Sequence, residues 1–430
     1  MSKPKVLRPT QRFVNPLLSF DEAYTAAIAT FKFLVLCSYE KKRLPVAVMD
    51  GQGFRTISLV GLRQPCIHVE FFAVPNALVL AHRPGSVLVE LISVLTGKRS
   101  QVSEREGSKS SQQPAWFNYT DSHEFMERVR VGMPPLIICV ACNGGIQGKE
   151  ASEVIPETAD EIAESVHAAY EAGAVMVHIH ARDPKNLTLG ARETATWREV
   201  LRKVRQHCPE IIINATTGAS PAMSMEERSS SLAAGPELAS LNLAPDMSKF
   251  RLKERRPPLL FPRPPLEIDE CTPYTYGQIH QFAAEMKQRG IKPELEVYHP
   301  GCAWVIDYLI ENHLLEKPYW IQTVMGYQTG SFPTVDNILQ LLKEFPDQTL
   351  WLCSAIGAFQ LPLTTFATLM GGHVRVGLED NVYFSRGRKA VSNAELVQRT
   401  VRIAHELNRP VATPAQAREM LGVRSEPSQY

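Results

Sequence analysis

From residue 134 onward the chain alternates between short apolar runs and longer segments with apolar positions at helical spacing. The apolar runs are "LIICVAC", "AVMVHIH", "IIINATT", "LASLNLA", "ELEVYH", "YWIQTVM", "LWLCSA" and "HVRVGLE", eight in all. Their length and β-branched content predict strands buried on both faces, with amphipathic helices between most of them. The helix ends carry matching signals. Thr158 with Glu161, Ser224 with Glu227 and Ser392 with Glu395 have capping-box spacing. Gly173, Gly235 and Pro410 mark the corresponding stops. Eight β/α units over residues 134–425 predict an α/β fold of the (β/α)8 TIM-barrel type. A doubly wound open sheet is the rival architecture, because periodicity reads the same for both.

The first hundred residues have a different rhythm. "AYTAAIATFKFLVLC" predicts a helix, while "RLPVAVMDG", "FRTISLVGL", "CIHVEFFAV" and "SVLVELISVL" predict strands or short helices broken by Gly and Pro. Residues 1–100 are therefore expected to form an additional N-terminal α+β module. The polar stretch "RSQVSEREGSKSSQQPAW" sets the character of 101–133, expected as a linker.

Composition changes this picture little. The 430 residues are 44% hydrophobic and 21% charged, with a net charge of +1, which gives no case for nucleic acid or a membrane surface as the main partner. Residues 1–133 hold 17 Lys and Arg against 11 Asp and Glu, so the front is mildly basic and the remainder mildly acidic, in keeping with two modules. Eight scattered cysteines predict free thiols in a reducing, cytoplasmic setting. Cys139 and Cys142 lie three apart on one strand and so face opposite sides, which argues against joint metal or redox use.

Catalytic groups of a (β/α)8 barrel lie at the C-terminal ends of its strands. Those ends offer Asn143-Gly144-Gly145, then His178 and His180, Thr216-Thr217-Gly218, Ser240 and Asn242, Glu296 and His299, and finally Arg375, Glu379, Asp380 and Asn381. His178 and His180 are two apart on a strand, so both imidazoles project to one face. The last strand of a closed barrel neighbours the first, so Glu379 can reach the same cavity. Two His and one carboxylate then leave open positions for substrate, the usual arrangement of a catalytic divalent metal. The bland reading of an H-x-H is a pair of hydrogen-bonded histidines, and His299 and His373 are expected to be structural.

"VHIHARDP", "INATTGAS", "ASLNLA", "PELEVYHPG" and "GGHVRVGLEDN", in this order, resemble the β-keto acid cleavage enzymes, over about residues 134–425. The resemblance implies a homotetrameric barrel that holds Zn2+ on His178, His180 and Glu379. It implies a reversible Claisen-type exchange in which a β-keto acid and acetyl-CoA give acetoacetate and a new acyl-CoA. Arg375 and Asp380 match the pair that orients and activates substrate, and Glu296 matches an acid pointing into the barrel. Thr216, Gly218 and Ser240 match substrate-binding positions, with Thr217 and Asn242 beside them. Two departures bear on specificity. Ile146 stands where members acting on amino-bearing keto acids carry an acid, which implies a neutral or apolar substrate. Ala358 stands where many relatives have a polar residue. A third departure, the basic, Pro-rich insert "KFRLKERRPPLLFPRPP", is expected as a solvated loop. Two other functions remain open: a metal-dependent hydrolase, which also uses H-x-H in a barrel, and a non-catalytic barrel that senses acyl-CoA or keto acid.

Overall fold

A computed structural model describes residues 114–430 except 219, and in the front of the chain the strands 31–36, 43–50, 53–60, 66–74 and 77–81. The chain divides into two compact units, Met1–Ser111 and Gln112–Tyr430. In the first, Phe31–Leu36, Cys66–Val74 and Ala77–Ala81 form an antiparallel sheet, and Arg43–Asp50 pairs with Gly53–Val60 as a hairpin. Residues 31–36 are thus a strand where a helix was expected. Their alternating Phe-Lys-Phe start and β-branched Val35 suit a ladder with residues 66–71, and that pairing overrides the helical reading. The expected element "SVLVELISVL" lies outside the described residues.

The second unit is a closed barrel of eight parallel strands. They are β1 (Ile138–Ala141), β2 (Met176–Ile179), β3 (Ile212–Ala215), β4 (Leu238–Asn242), β5 (Lys292–Val297), β6 (Tyr319–Met325), β7 (Thr349–Ala355) and β8 (His373–Val376). β8 pairs with β1 through Arg375 opposite Cys139, which closes the ring and excludes the open sheet. Eight helices follow the strands in turn: α1 (Ala159–Glu171), α2 (Thr194–His207), α3 (Met225–Ala233), α4 (Tyr276–Arg289), α5 (Cys302–Glu311), α6 (Val335–Lys343), α7 (Gln360–Met370) and α8 (Asn393–Glu406). Complete capping boxes start α1 and α3 at Thr158/Glu161 and Ser224/Glu227. At α8, Ser392 caps Glu395 N, but the Glu395 carboxylate turns instead to Val391 N.

Side-chain alternation along the strands sorts the core into two shells. Val177, Ile179, Ile213, Ala239, Leu295, Ile321 and Cys353 pack outward under the helices, while Ile137, Cys139, Met176, Ile212, Leu238, Trp320, Leu350 and Leu352 fill the lower interior. Further along the same inward rows the character switches. His178, Asn214, Ser240, Glu294, Glu296, Gln322, Ser354 and Arg375 are all buried and polar. An apolar floor with a polar upper layer points the chemistry to the C-terminal mouth.

Residues 114–133 are not a linker. Ser122–Val131 is a helix capped by Asp121, and Phe117 and Tyr119 are buried in the core, with Tyr119 Oη accepting from Trp351 N at 3.2 Å. The polar composition of the preceding residues masked two aromatic anchors, which are enough to dock the segment. The insert at 249–265 is likewise structured. Asp246–Leu252 and Leu266–Thr272 make an antiparallel hairpin, and Arg255 is 2% exposed.

Candidate active site

His178 is the next-to-last residue of β2 and His180 directly follows the strand, with their Nε2 atoms 3.2 Å apart. Glu379 arrives from the turn after β8. Its Oε1 is 3.2 Å from His180 Nε2 and 3.8 Å from His178 Nε2. Two glycines allow this approach. Gly377 has φ 148, and a Cβ there would meet the Ala141 carbonyl oxygen at 2.1 Å; Gly144 has φ 68, and a Cβ would meet Glu379 Cγ at 2.7 Å. The turn is pinned by Glu379 N donating to Ala141 O and by Leu378 N donating to Asn393 Oδ1. Asn143 fixes His180, donating through Nδ2 to its carbonyl at 2.7 Å and accepting from its amide at 3.2 Å. Arg182, only 3% exposed, donates to the carbonyls of Gly144 and Gln147 and so holds the β1–α1 loop over the site.

Arg375 binds Asp380 through two hydrogen bonds, Nε to Oδ2 at 2.9 Å and Nη2 to Oδ1 at 2.8 Å. The same Nη2 reaches Glu379 Oε1 at 2.6 Å, and Nη1 lies 3.9 Å from Glu296 Oε1. Ser354 Oγ donates to Asp380 Oδ2 at 3.4 Å. Glu296 is further held by Tyr298 Oη at 3.1 Å and Gln322 Nε2 at 3.2 Å. Across the mouth, Thr216 Oγ1 lies 3.5 Å from Ser240 Oγ, Thr217 donates to Ser240 through N and Oγ1, and Gly218 N donates to Thr216 Oγ1. Asn242 is buried at the end of β4 with Oδ1 unpaired.

Electrostatics make the triangle receptive to a cation. Burial, with the Arg375 charge, holds His178 well below its ordinary range, so its ring is neutral and free to ligate. Burial opposes ionisation of Glu379, but Arg375 and the two imidazoles outweigh it and hold the carboxyl well below the usual range. Burial raises Asp380, against the pull of Arg375. Burial pushes Glu296 up to about 8, against Arg375 and with help from neighbouring carboxylates. One guanidinium, Arg375, thus lies among Glu294, Glu296, Glu379 and Asp380. Burial raises Glu294 as well, against the pull of Arg375, and a divalent cation at the triangle would favour the charged forms of these carboxylates. The geometry fits too. Ligand atoms about 2 Å from a tetrahedral ion stand about 3.3 Å apart, close to the three edges observed. Among the described residues no other group of three such side chains converges.

The sites foreseen in the sequence come together here: His178, His180, Glu379, Arg375, Asp380 and Glu296 form one connected cluster at the barrel mouth, with Thr216, Thr217, Gly218, Ser240 and Asn242 at the ends of β3 and β4. His373 is buried under the floor, where its Nδ1 accepts from Ile137 N. The insert gives a correction. Arg255 does not lie in solvent; it binds Glu157 with two hydrogen bonds and Glu150 with one, while Arg263 also takes Glu150. The hairpin therefore clamps the β1–α1 segment that bears Gly144 and Ile146. Sequence reasoning missed Glu294, Asn143's hold on His180, Ser354 and Tyr298. The E-x-E spacing in "ELEVY" was the available signal for Glu294, since it puts both acids on the face of the barrel interior.

Fold and site define a (β/α)8-barrel protein with a His-His-carboxylate centre of divalent-metal type at its mouth. The chain belongs to the β-keto acid cleavage enzyme family, whose model matches residues 135–423. It is 33% identical to a 3-keto-5-aminohexanoate cleavage enzyme of Fusobacterium nucleatum over 295 residues, 68% of this chain and 99% of that one. It is 34% identical to a 3-oxoadipate:acetyl-CoA acetyltransferase of Cupriavidus necator over 296 residues, covering 68% and 96%. In fold it matches a solved ternary complex of ObcA with a C4-CoA adduct and oxalate, with a TM-score of 0.50 at 20% identity, covering 63% of this chain and 68% of that one. No helix among the described residues is long and apolar enough to cross a membrane.

Proposed function

We propose that this protein is a zinc-dependent β-keto acid cleavage enzyme that uses acetyl-CoA as co-substrate. The acyl group that contains the β-carbonyl leaves the α-carbon of the β-keto acid for CoA, and the acetyl group of acetyl-CoA takes its place on the α-carbon, giving acetoacetate and a new acyl-CoA. The observation that carries the reading is the meeting of the His178–His180–Glu379 triangle with the Arg375–Asp380 pair in one cavity. His178, His180 and Glu379 are the residues to hold zinc, and Co, Mn or Fe suits the same set. Bound there, the ion supplies Lewis-acid stabilisation of negative charge on the keto oxygen and carboxylate of the substrate.

The chain's own groups do the rest. Asp380 accepts the proton leaving the α-carbon; Arg375, bonded to both its oxygens, aims it and counters the rise that burial causes. Glu296, with its raised affinity for a proton, is suited to hand one over within the cavity. Thr216, Gly218 and Ser240, with Thr217 and Asn242 beside them, orient the substrate by hydrogen bonds along the β3–β4 rim. The reading carries with it a cytoplasmic homotetramer, supported by family membership and by the free state of the six described cysteines.

Ile146 sits on the clamped β1–α1 loop at 38% exposure and offers no charge to an ammonium group. The substrate is accordingly a neutral or apolar β-keto acid. Acetoacetate formation from acetyl-CoA and a panel of neutral and amino-bearing β-keto acids tests this, run on the parent and on Ile146→Glu. The parent is expected to prefer the neutral members. The substitution is expected to shift preference toward the amino-bearing ones by about tenfold, the worth of one charged hydrogen bond. An unchanged ranking in the variant sinks the assignment of Ile146.

A further inference from the structure

Glu294 is the one carboxylate of the barrel interior to which the reaction described above gives no work. It stands in the middle of β5, opposite Ser240 on β4 and Trp320 on β6, and is 0% exposed. Trp320 Nε1 donates to its Oε2 at 2.8 Å and fixes the plane of the carboxylate. Its other oxygen, Oε1, has no hydrogen-bond partner. The atom it faces is His178 Nδ1, 4.0 Å away, which is also buried and unpartnered. The Asn214 amide, register-paired with His178 on β3, lies beside both groups, and its Nδ2 and Oδ1 are likewise buried without a hydrogen-bond partner.

Two orphaned buried atoms facing each other are costly unless something joins them. Arg375 acts on Glu294 only through its charge, because its hydrogen bonds go to Asp380 and Glu379. His178 presents Nε2 to the His180–Glu379 triangle, so Nδ1 is the nitrogen left to carry the ring proton. A ligating imidazole is commonly held by a carboxylate on its far nitrogen, which sets tautomer and ring orientation and raises ligand basicity. An approach of about 1 Å brings the pair to the 2.9 Å of an ordinary N–H···O bond.

We infer that Glu294 is a positioning residue: it holds His178 through Nδ1–H, with Trp320 as its anchor, and thereby strengthens the divalent-metal site. The inference rests on the metal-site reading above and deepens it. The coupling is reciprocal. A cation at the triangle favours the Glu294–His178 pair, and the pair in turn tightens the cation.

The test is the dissociation constant for zinc, read by competition with a chromophoric chelator at one pH on the metal-stripped full chain, beside the visible absorption bands of the cobalt(II) form. Glu294→Gln keeps the side-chain shape and removes the charge; Trp320→Phe leaves Glu294 in place and removes its anchor. Glu294→Gln is expected to weaken zinc binding by about 10- to 100-fold and to shift the cobalt bands, with the melting temperature of the metal-free protein close to the parent's. Trp320→Phe is expected to weaken zinc by several-fold and serves as the deciding variant where Glu294→Gln does not fold. Zinc affinity within twofold of the parent, with unshifted cobalt bands, in whichever variant folds overturns the inference. A parent chain that binds no divalent ion overturns the metal-site reading itself, a distinct outcome.

Discussion

Asp380→Asn is expected to lower kcat by about 10^2- to 10^4-fold while leaving metal content at the parent level, the range associated with removing a positioned proton acceptor. The side chain keeps its shape and can still accept one hydrogen bond from Arg375, which now binds Asp380 through Nε and Nη2. What is lost is the ability to take a proton. Asp380 is 6% exposed and stands next to Glu379 in the chain, yet the metal triangle is formed without it. The effect should therefore fall on kcat, with KM for the keto acid changed by less than about threefold, since an interaction made only in the transition state was removed. Steady-state rates of acetoacetate release, with metal analysis on the same samples, decide the matter. A variant that retains kcat within threefold removes Asp380 from the proton-accepting role.

Glu237→Ala is expected to be the most damaging change away from the mouth. Glu237 is 1% exposed at the N-terminal end of β4. Its carboxylate takes hydrogen bonds from Arg205 at 3.0 and 3.1 Å, Arg418 at 2.8 Å, Ile213 N at 2.7 Å and Ser428 N at 3.0 Å. One acid thus ties α2, β3, the helix Pro414–Leu421 and the C-terminal tail together beneath the barrel. Removing it leaves two buried guanidiniums without their carboxylate, a loss of about 3–5 kcal/mol. For a unit of this size that corresponds to a fall in Tm of roughly 4–8 °C. Zinc affinity should stay at the parent value, because the change lies at the opposite end of the barrel from the site. Thermal unfolding checks it, and a Tm within 2 °C of the parent would show that the cluster contributes little.

Much of this molecule is legible in its sequence, for identifiable reasons. The barrel follows from eight apolar runs joined by capped helices, because cap chemistry is local and the capping pairs at Thr158 and Ser224 need only neighbours three residues away. His178 and His180 are legible as a pair because period-two alternation on a strand leaves them no choice of face. Glu379 is legible only through closure, since it follows His180 after 198 intervening residues and meets the pair only if β8 lies beside β1. Glu294 and Asn143 were not legible as partners of the histidines. In a parallel barrel both faces of each strand are buried, so hydropathy does not distinguish an inward acid from an outward one. Arg255 was misread for a related reason. A basic, Pro-rich stretch resembles solvated loop, and only the distant acids Glu150 and Glu157 turn it into a buried clamp. Residues 114–133 show the limit of composition. Phe117 and Tyr119 decide the fate of a segment whose average is polar.

The account stands on whether the three ligand atoms hold a catalytic metal. The most direct measurement is zinc content per chain of protein purified without chelator, for the parent and for His178→Ala, with acetoacetate formation from acetyl-CoA and neutral β-keto acids assayed on both. The account predicts about one zinc per parent chain and activity on at least one keto acid, with both lost in a folded His178→Ala. A folded parent without metal, or a His178→Ala variant that keeps both zinc and turnover, would contradict it.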